Sequence, residues 1–137
     1  MPNPFLKKKL LPVVAGFVAA FAVMMAFEFT NSLLFPFPAG MDTNDLEAVR
    51  AFSRSLPATA FILVIGGWAL GSFAAGWLTT RLSGESSYRL SLLVGILLTV
   101  LGIANNIMFV PQPWVNVIGL PLFLVGSYIG HAVARRK

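Results

Sequence analysis

One carboxylate, Glu28, lies within a long apolar stretch of the sequence, where an ionisable side chain is costly and is commonly functional. It follows Leu10 by 18 residues, which is about 27 Å along a helix and in the outer part of a bilayer. Four amides fall at a similar depth in their own segments: Asn31, Asn105, Asn106 and Asn116. We therefore expect a polar site near the outer face that binds a proton, a cation or a small polar molecule. The alternative is that these amides only join helices by hydrogen bonds.

Other reactive chemistry is scarce in this chain. It has no cysteine and a single histidine, His131, which argues against a metal site or a cysteine nucleophile. We expect His131 to lie near the inner end of its segment and to reach water. A serine–histidine–acid triad would then have to join it to Glu28 across the bilayer, and no glycine-rich phosphate loop with a lysine is present. We expect no enzyme activity, no cofactor and no metal.

The elements that position these residues are apolar segments of spanning length. The chain is 57% hydrophobic and 11% charged, against about 45–50% and about 25% for soluble domains. A bilayer core needs roughly 20 apolar residues in a helix, and four stretches meet this length. The sequence predicts an all-α integral membrane four-helix bundle, a single domain over residues 1–137. The helices are expected at about 11–34, 57–80, 90–110 and 114–134, with an outer loop over 35–56.

Lysine and arginine are distributed unevenly between the two faces of this bundle. With four crossings, eight fall on one face: Lys7, Lys8, Lys9, Arg81, Arg89, Arg135, Arg136 and Lys137. The other face holds Arg50 and Arg54. The positive-inside rule places both termini in the cytoplasm. The same asymmetry explains the net charge of +5 through contacts with anionic lipid headgroups rather than with nucleic acid.

The outer loop is the one connection long enough for structure of its own. Its first part, Phe-Pro-Phe-Pro-Ala-Gly at 35–40, is not expected to be helical. Asn44 followed by Glu47 three residues later resembles a capping box. Leu46, Val49 and Phe52 then recur at helical spacing. This pattern predicts a short amphipathic helix on the outer surface, serving either as a lid or docking surface or as a linker.

Small residues at a spacing of four mark helix-packing faces in the second and fourth segments. The positions are Gly67, Gly71 and Ala75, Ser72 with Gly76, and Gly126 with Gly130. Small residues at this spacing let two helix backbones approach closely in lipid. The partner helix is either in the same chain or in another one.

Several of these features carry a resemblance to known families. Glu28, the loop FPFPAGMD at 35–42 and the segment GWALGSFAAGW at 67–77 resemble a family of small four-helix bacterial inner-membrane proteins that are uncharacterised. This resemblance implies a bundle in the bacterial inner membrane and no particular activity. Four helices with one glutamate in the first are also similar to the small multidrug-resistance transporters, where the glutamate lies deeper and the loops are shorter.

Two functions are consistent with these features. The first is a non-enzymatic small membrane protein, a helix-packing module or an accessory subunit, in which the bilayer and a second copy or a larger membrane complex are the partners. The alternative is a small transporter or channel for a proton, a cation or a small polar solute, with Glu28 in an outward-facing polar site. Access of water to Glu28 separates the two.

Overall fold

The computed structural model describes residues 3–109 and 112–136, and this part of the chain is helical with no strand. A π-helical turn, Leu6–Leu10, leads into the first of five helices. The helices are α1 (Leu11–Leu34), α2 (Leu46–Ser55), α3 (Ala58–Ser83), α4 (Arg89–Phe109) and α5 (Pro113–Arg135). All except α2 are long and apolar enough to cross a membrane. The predicted all-α four-helix membrane bundle is confirmed.

The helix ends follow local signals and differ from the predicted bounds by at most three residues. Pro57 precedes α3 as its N-cap instead of opening it. At the other end α3 continues to Ser83, and Gly84 stops it in the left-handed conformation, with φ of +68°. Val110 and Pro111, where a predicted boundary falls, and Lys137 lie outside the described residues.

The wide turn before α1 has a local cause. The backbone N–H of Leu11 donates to the carbonyl of Leu6, five residues back. Pro12 has no N–H, so the α-helical bond that would run from this position to Lys8 cannot form. The wider π-turn, with its hydrogen bond across five residues, accommodates this missing bond, and the helix continues.

The long helices alternate in direction through the bundle. Thr79 Oγ1 donates to the carbonyl of Pro12 at 3.2 Å, so the end of α3 meets the beginning of α1 and the two helices are antiparallel. On its other side α3 runs parallel to α5, because Thr80 near its end contacts His131 near the end of α5. We call the end of the bundle that carries the start of α1 and the end of α5 the terminal end. The end that carries residues 35–57 is the loop end.

The predicted small-residue faces pack inside the chain. A Cβ at Gly71 would lie 3.0 Å from the Ala20 carbonyl of α1, and a Cβ at Gly76 would overlap the Ser127 backbone of α5. On the face of α3 that carries Gly71, Gly67 lies against Phe27 of α1, and Ala75 is fully buried. From α5, Gly126 lies against Ser72 and Gly130 against the Phe73 carbonyl. The partner helices are therefore α1 and α5 of the same chain.

The bundle is apolar outside and partly polar inside. Val117, Ile107 and Phe29 are 75%, 70% and 66% exposed. The buried polar side chains are Ser72, Thr79, Thr80, Ser91, Asn106, Ser127 and His131. A soluble fold would hide the large apolar side chains and expose the polar ones. This distribution, together with the four long helices, is that of a multi-pass membrane protein.

Candidate functional site

The amphipathic helix predicted in the long loop is α2, and it begins one residue later than the capping box suggests. Asp45, not Asn44, is the N-cap: its Oδ1 accepts from the N–H groups of Glu47 and Ala48 at 3.1 and 3.4 Å. The N–H of Asn44 is instead turned back to Asp42 Oδ1 at 2.9 Å. The local turn started by Asp42 occupies Asn44 and leaves the carboxylate of Asp45 to satisfy the first N–H groups of the helix.

Arg50 and Phe52 hold α2 over the loop end. Arg50 Nε donates to the carbonyl of Met108, near the end of α4, at 2.7 Å, and its Nη1 donates to Glu47 at 2.9 Å. The last carbonyls of a helix have no intrahelical partner and carry partial negative charge, so an arginine stabilises them. The rings of Phe37 and Phe52 also pack with their centroids 4.9 Å apart. Thus α2 is fastened both to α4 and to the loop before it.

Beneath α2 lies an open cavity of about 320 Å³ bounded by α1, α3, α4 and the start of α5. We call it the loop-end cavity. Three of the predicted site amides, together with Glu28, line it. The lining residues are Glu28, Asn31, Ser32, Phe35, Phe37, Val49, Phe52, Ser53, Leu56, Ala60, Phe61, Val64, Trp68, Asn105, Asn106, Phe109 and Val115.

The amides of α4 and α5 form a directed chain. Asn105 Nδ2 donates to Asn106 Oδ1 at 3.4 Å, and Asn106 Nδ2 donates to Asn116 Oδ1 at 2.5 Å. Asn116 takes part in this chain without lining the cavity. Asn106 is buried. Its two hydrogen bonds offset the free-energy cost of burying a polar amide at this position. The chain joins α4 to α5 at one edge of the cavity.

The polar groups of α1 in the cavity are less satisfied. Asn31 Oδ1 is buried and accepts no hydrogen bond from the described residues. Glu28 is exposed at the cavity and has no ion pair within residues 3–109 and 112–136. The sequence predicts that Glu28 lies against Asn105 or Asn106. All three side chains line the same cavity, but within the described residues no hydrogen bond joins Glu28 to either amide, and the amides bond to each other and to Asn116.

Aromatic rings form much of the remaining wall. Phe61 is buried and meets Trp114 edge to face, with centroids 6.1 Å apart. Trp68, the lining residue farthest along α3 from the loop end, packs on Phe123 at 5.1 Å. Because these rings are held by neighbours outside the cavity, the wall is largely preformed. Such mostly apolar cavities with a few convergent polar groups are the usual form of small-molecule sites.

A second polar cluster lies at the terminal end, and sequence reasoning missed it. His131 is only 2% exposed, so the expectation that it reaches water is wrong. Its Nδ1 lies 2.7 Å from Thr80 Oγ1, which is 2.9 Å from Ser91 Oγ. The Tyr88 ring covers the imidazole at 5.5 Å. The spacing of four between Ser127 and His131 on a small-residue face was the available signal for burial.

The described residues contain no group of three histidine, aspartate or glutamate side chains that could hold a metal ion. No protein-family model, curated protein or solved structure matches the chain. The resemblances noted from the sequence therefore stay expectations.

Proposed function

We propose that this chain is a small transporter or channel that binds a proton, a cation or a small polar solute in the loop-end cavity, with Glu28 as the binding group. The observation that carries the proposal is a carboxylate at an open cavity with no ion pair from the described residues. A carboxylate in a spanning segment usually serves function because its placement there is unfavourable. The proposed role is binding and passage, not catalysis.

The charge distribution supports an orientation for this site. The terminal end carries Lys7 to Lys9, Arg81, Arg89, Arg135 and Arg136, whereas the loop end carries Arg50 and Arg54. By the positive-inside rule the terminal end would face the cytoplasm of a bacterial inner membrane and the cavity would face outward. The basic terminal end would then contact anionic lipid headgroups.

The packing of the small residues favours this function over that of a helix-packing module. A module or accessory subunit would need a free face for a partner helix. The faces built on Gly71, Gly76 and Gly130 are occupied by α1 and α5 of the same chain. These faces are therefore not open to a second copy or to a larger complex. Helix packing does not account for the loop-end cavity, which a binding function would explain.

Transport in proteoliposomes tests the proposal. Purified protein would be reconstituted, and the uptake of protons, Na⁺, K⁺, ammonium and glycerol would be followed across an imposed gradient at several pH values. We expect Glu28→Gln to abolish the pH dependence of uptake for whichever of these solutes the parent protein transports. Glu85→Gln, which removes a carboxylate from the turn at the terminal end, is the matched control and should behave as the parent.

Equal uptake and an equal pH profile for the parent and Glu28→Gln, with both proteins folded in detergent, would overturn the proposal. Uptake by the parent protein equal to that of empty liposomes for all five solutes would exclude these solutes as its substrates. Circular dichroism and size-exclusion chromatography establish that each variant is folded before its flux is compared.

A further inference from the structure

A chain of hydrogen bonds at the terminal end determines which nitrogen of His131 carries the hydrogen. The imidazole is buried, and its Nδ1 lies 2.7 Å from Thr80 Oγ1. Thr80 Oγ1 lies 2.9 Å from Ser91 Oγ, which donates to the Gly76 carbonyl at 3.2 Å. Each hydroxyl has one hydrogen to donate. Because that of Ser91 goes to Gly76, Thr80 donates its own to Ser91 and accepts the hydrogen of His131 Nδ1.

This assignment leaves Nε2, the other ring nitrogen, as a bare acceptor. It is buried and has no hydrogen-bond partner among the described residues. The turn between α3 and α4 presents a second acceptor to the imidazole, the main-chain carbonyl of Ser86. A proton on Nε2 would provide the hydrogen that joins the two acceptors. Since Nδ1 already carries its hydrogen, this protonation leaves the bonds of Thr80 and Ser91 as they are.

The Tyr88 ring is placed to favour a positively charged imidazole. Its centroid lies 5.5 Å from that of His131, within the distance of about 6 Å over which aromatic rings attract cations. The Tyr88 hydroxyl contacts Ser127 Oγ at 2.9 Å and donates to a main-chain carbonyl of α5 at 3.0 Å, so the ring is held in place. This ring, the Thr80 hydroxyl and the Ser86 carbonyl are all electron-rich groups around the imidazole.

The charged side chains near this cluster come from α3, α4, α5 and the turn. On α5, Arg135 follows His131 by one helical turn and repels a second positive charge. On α3, Arg81 is stacked over a tryptophan ring of its own helix, 5.4 Å from the centroid. The turn contributes Glu85, and α4 begins at Arg89. Within the described residues no ion pair joins a carboxylate to His131, so protonation changes the net charge of the terminal end.

We propose that His131 is a proton-binding site at the terminal end, opposite the loop-end cavity. Nε2 accepts a proton from water, and the N–H bond so formed donates to the Ser86 carbonyl and fastens the turn to α5. Ser86 and Ser87 are exposed, so a brief opening of the turn brings water to Nε2, and a proton needs no permanent cavity. This site goes beyond the proposed function, because it uses neither Glu28 nor the loop-end cavity.

Nuclear magnetic resonance observes this site directly, because His131 is the one histidine of the chain. The full chain, labelled with ¹⁵N in the imidazole, would be titrated in detergent between about pH 4 and pH 9, around the value of about 6.5 at which a free imidazole changes charge. At the basic end we expect Nδ1 protonated and Nε2 bare, and at the acidic end both protonated. A protonated Nε2 at the basic end, or one unchanged state throughout, would overturn the proposal.

Hydrogen exchange in the turn tests what the bound proton does. The backbone N–H groups of Glu85 and Arg89 donate to Ser83 Oγ and Ser87 Oγ, both at 3.3 Å. We would measure the ratio of their exchange rates in the parent to those in His131→Gln at each pH. This ratio should fall about tenfold from the basic to the acidic end, because only the parent gains a hydrogen bond from a charged donor. A constant ratio would contradict the proposed fastening of the turn.

Glu85→Gln is the matched control, because it removes the carboxylate of the same turn. It should keep the pH dependence of the parent. A pH dependence that disappears in Glu85→Gln and persists in His131→Gln would assign the effect to Glu85 and overturn the proposal.

A second variant keeps the test decisive if His131→Gln does not fold. Thr80→Val removes the acceptor of the Nδ1 hydrogen, so at the basic end the imidazole should shift towards the form protonated at Nε2. An unchanged form in Thr80→Val would refute the hydrogen-bond chain on which the site depends. Glu28→Gln should give the same imidazole titration as the parent, so a loss of transport in that variant concerns the proposed function alone.

Discussion

The two ends of the bundle differ in how closely they pack around their polar side chains. At the terminal end, His131, Thr80 and Ser91 are buried and bonded to one another. At the loop end, Glu28 has no ion pair and Asn31 Oδ1 no hydrogen bond from the described residues, and both line an open cavity. Gly76 and Gly130 let α3 and α5 approach closely at the terminal end. Large aromatic side chains and α2 surround open space at the loop end. Close packing at the terminal end joins these polar side chains to one another, although His131 Nε2 is buried there without a partner among the described residues. At the loop end the carboxylate of Glu28 lies exposed at the cavity.

The largest expected effect comes from disrupting the close packing at the terminal end. Gly76→Leu places a side chain on the Ser127 backbone, so α3 and α5 must separate. We expect a loss of about 3 kcal/mol or more, at the upper range for overpacked cores, measured as thermal unfolding in detergent. Leu70→Ala, at a position 53% exposed on the same helix, is the control. A smaller loss for Gly76→Leu than for Leu70→Ala would refute the packing described for this end.

Removing the Thr80 hydroxyl, which contacts both His131 Nδ1 and Ser91 Oγ at the terminal end, should have a smaller effect. Thr80→Val preserves shape and leaves His131 Nδ1 without its partner at 2.7 Å. The expected loss is about 1–3 kcal/mol, the usual range for a buried polar group left unsatisfied. Thr43→Val in the exposed loop should stay within about 0.5 kcal/mol. An unchanged unfolding midpoint for Thr80→Val would mean that the imidazole is not held by this hydroxyl.

The loop end should respond locally when α2 is released. Arg50→Ala removes the bond to the Met108 carbonyl, and we expect hydrogen exchange in Leu46–Ser55 to accelerate roughly tenfold, as for the loss of about 1.4 kcal/mol. Global unfolding should change little. Arg54→Ala, an exposed position on the same helix, serves for comparison. Equal exchange in the two variants would show that Arg50 does not fasten α2.

The smallest expected effect on stability is that of Glu28→Gln. The carboxylate has no ion pair in the described part of the chain, so its loss should alter the free energy of unfolding by less than about 0.5 kcal/mol. This is the counterpart of Thr80→Val at the other end, and both would be followed by thermal unfolding in detergent. A loss of stability as large as that of Thr80→Val would identify Glu28 as a structural residue and remove the contrast between the two ends.

Much of the architecture depends on local physics and could be predicted. The length of each apolar run specifies four spanning helices, and the periodicity of Leu46, Val49 and Phe52 specifies α2. The N-cap of α2 is predicted at Asn44 and is found at Asp45. Both residues are good N-caps, and the choice between them depends on the turn at Asp42. The position of Glu28 in the second half of α1 also follows from the predicted bounds of that helix.

Tertiary structure decided which faces meet. The spacing of Gly67, Gly71 and Ala75 predicts a close helix contact but does not name the partner, since that depends on residues distant in the chain. Folding supplied α1 and α5 as the partners, buried His131 beside Thr80, and directed the Asn106 amide to Asn116. It also left the loop-end cavity under α2. The sequence by itself determined the helices and their polar residues. Only packing determined which of those residues are satisfied within the chain and which face open space, because that depends on the distance between helix backbones.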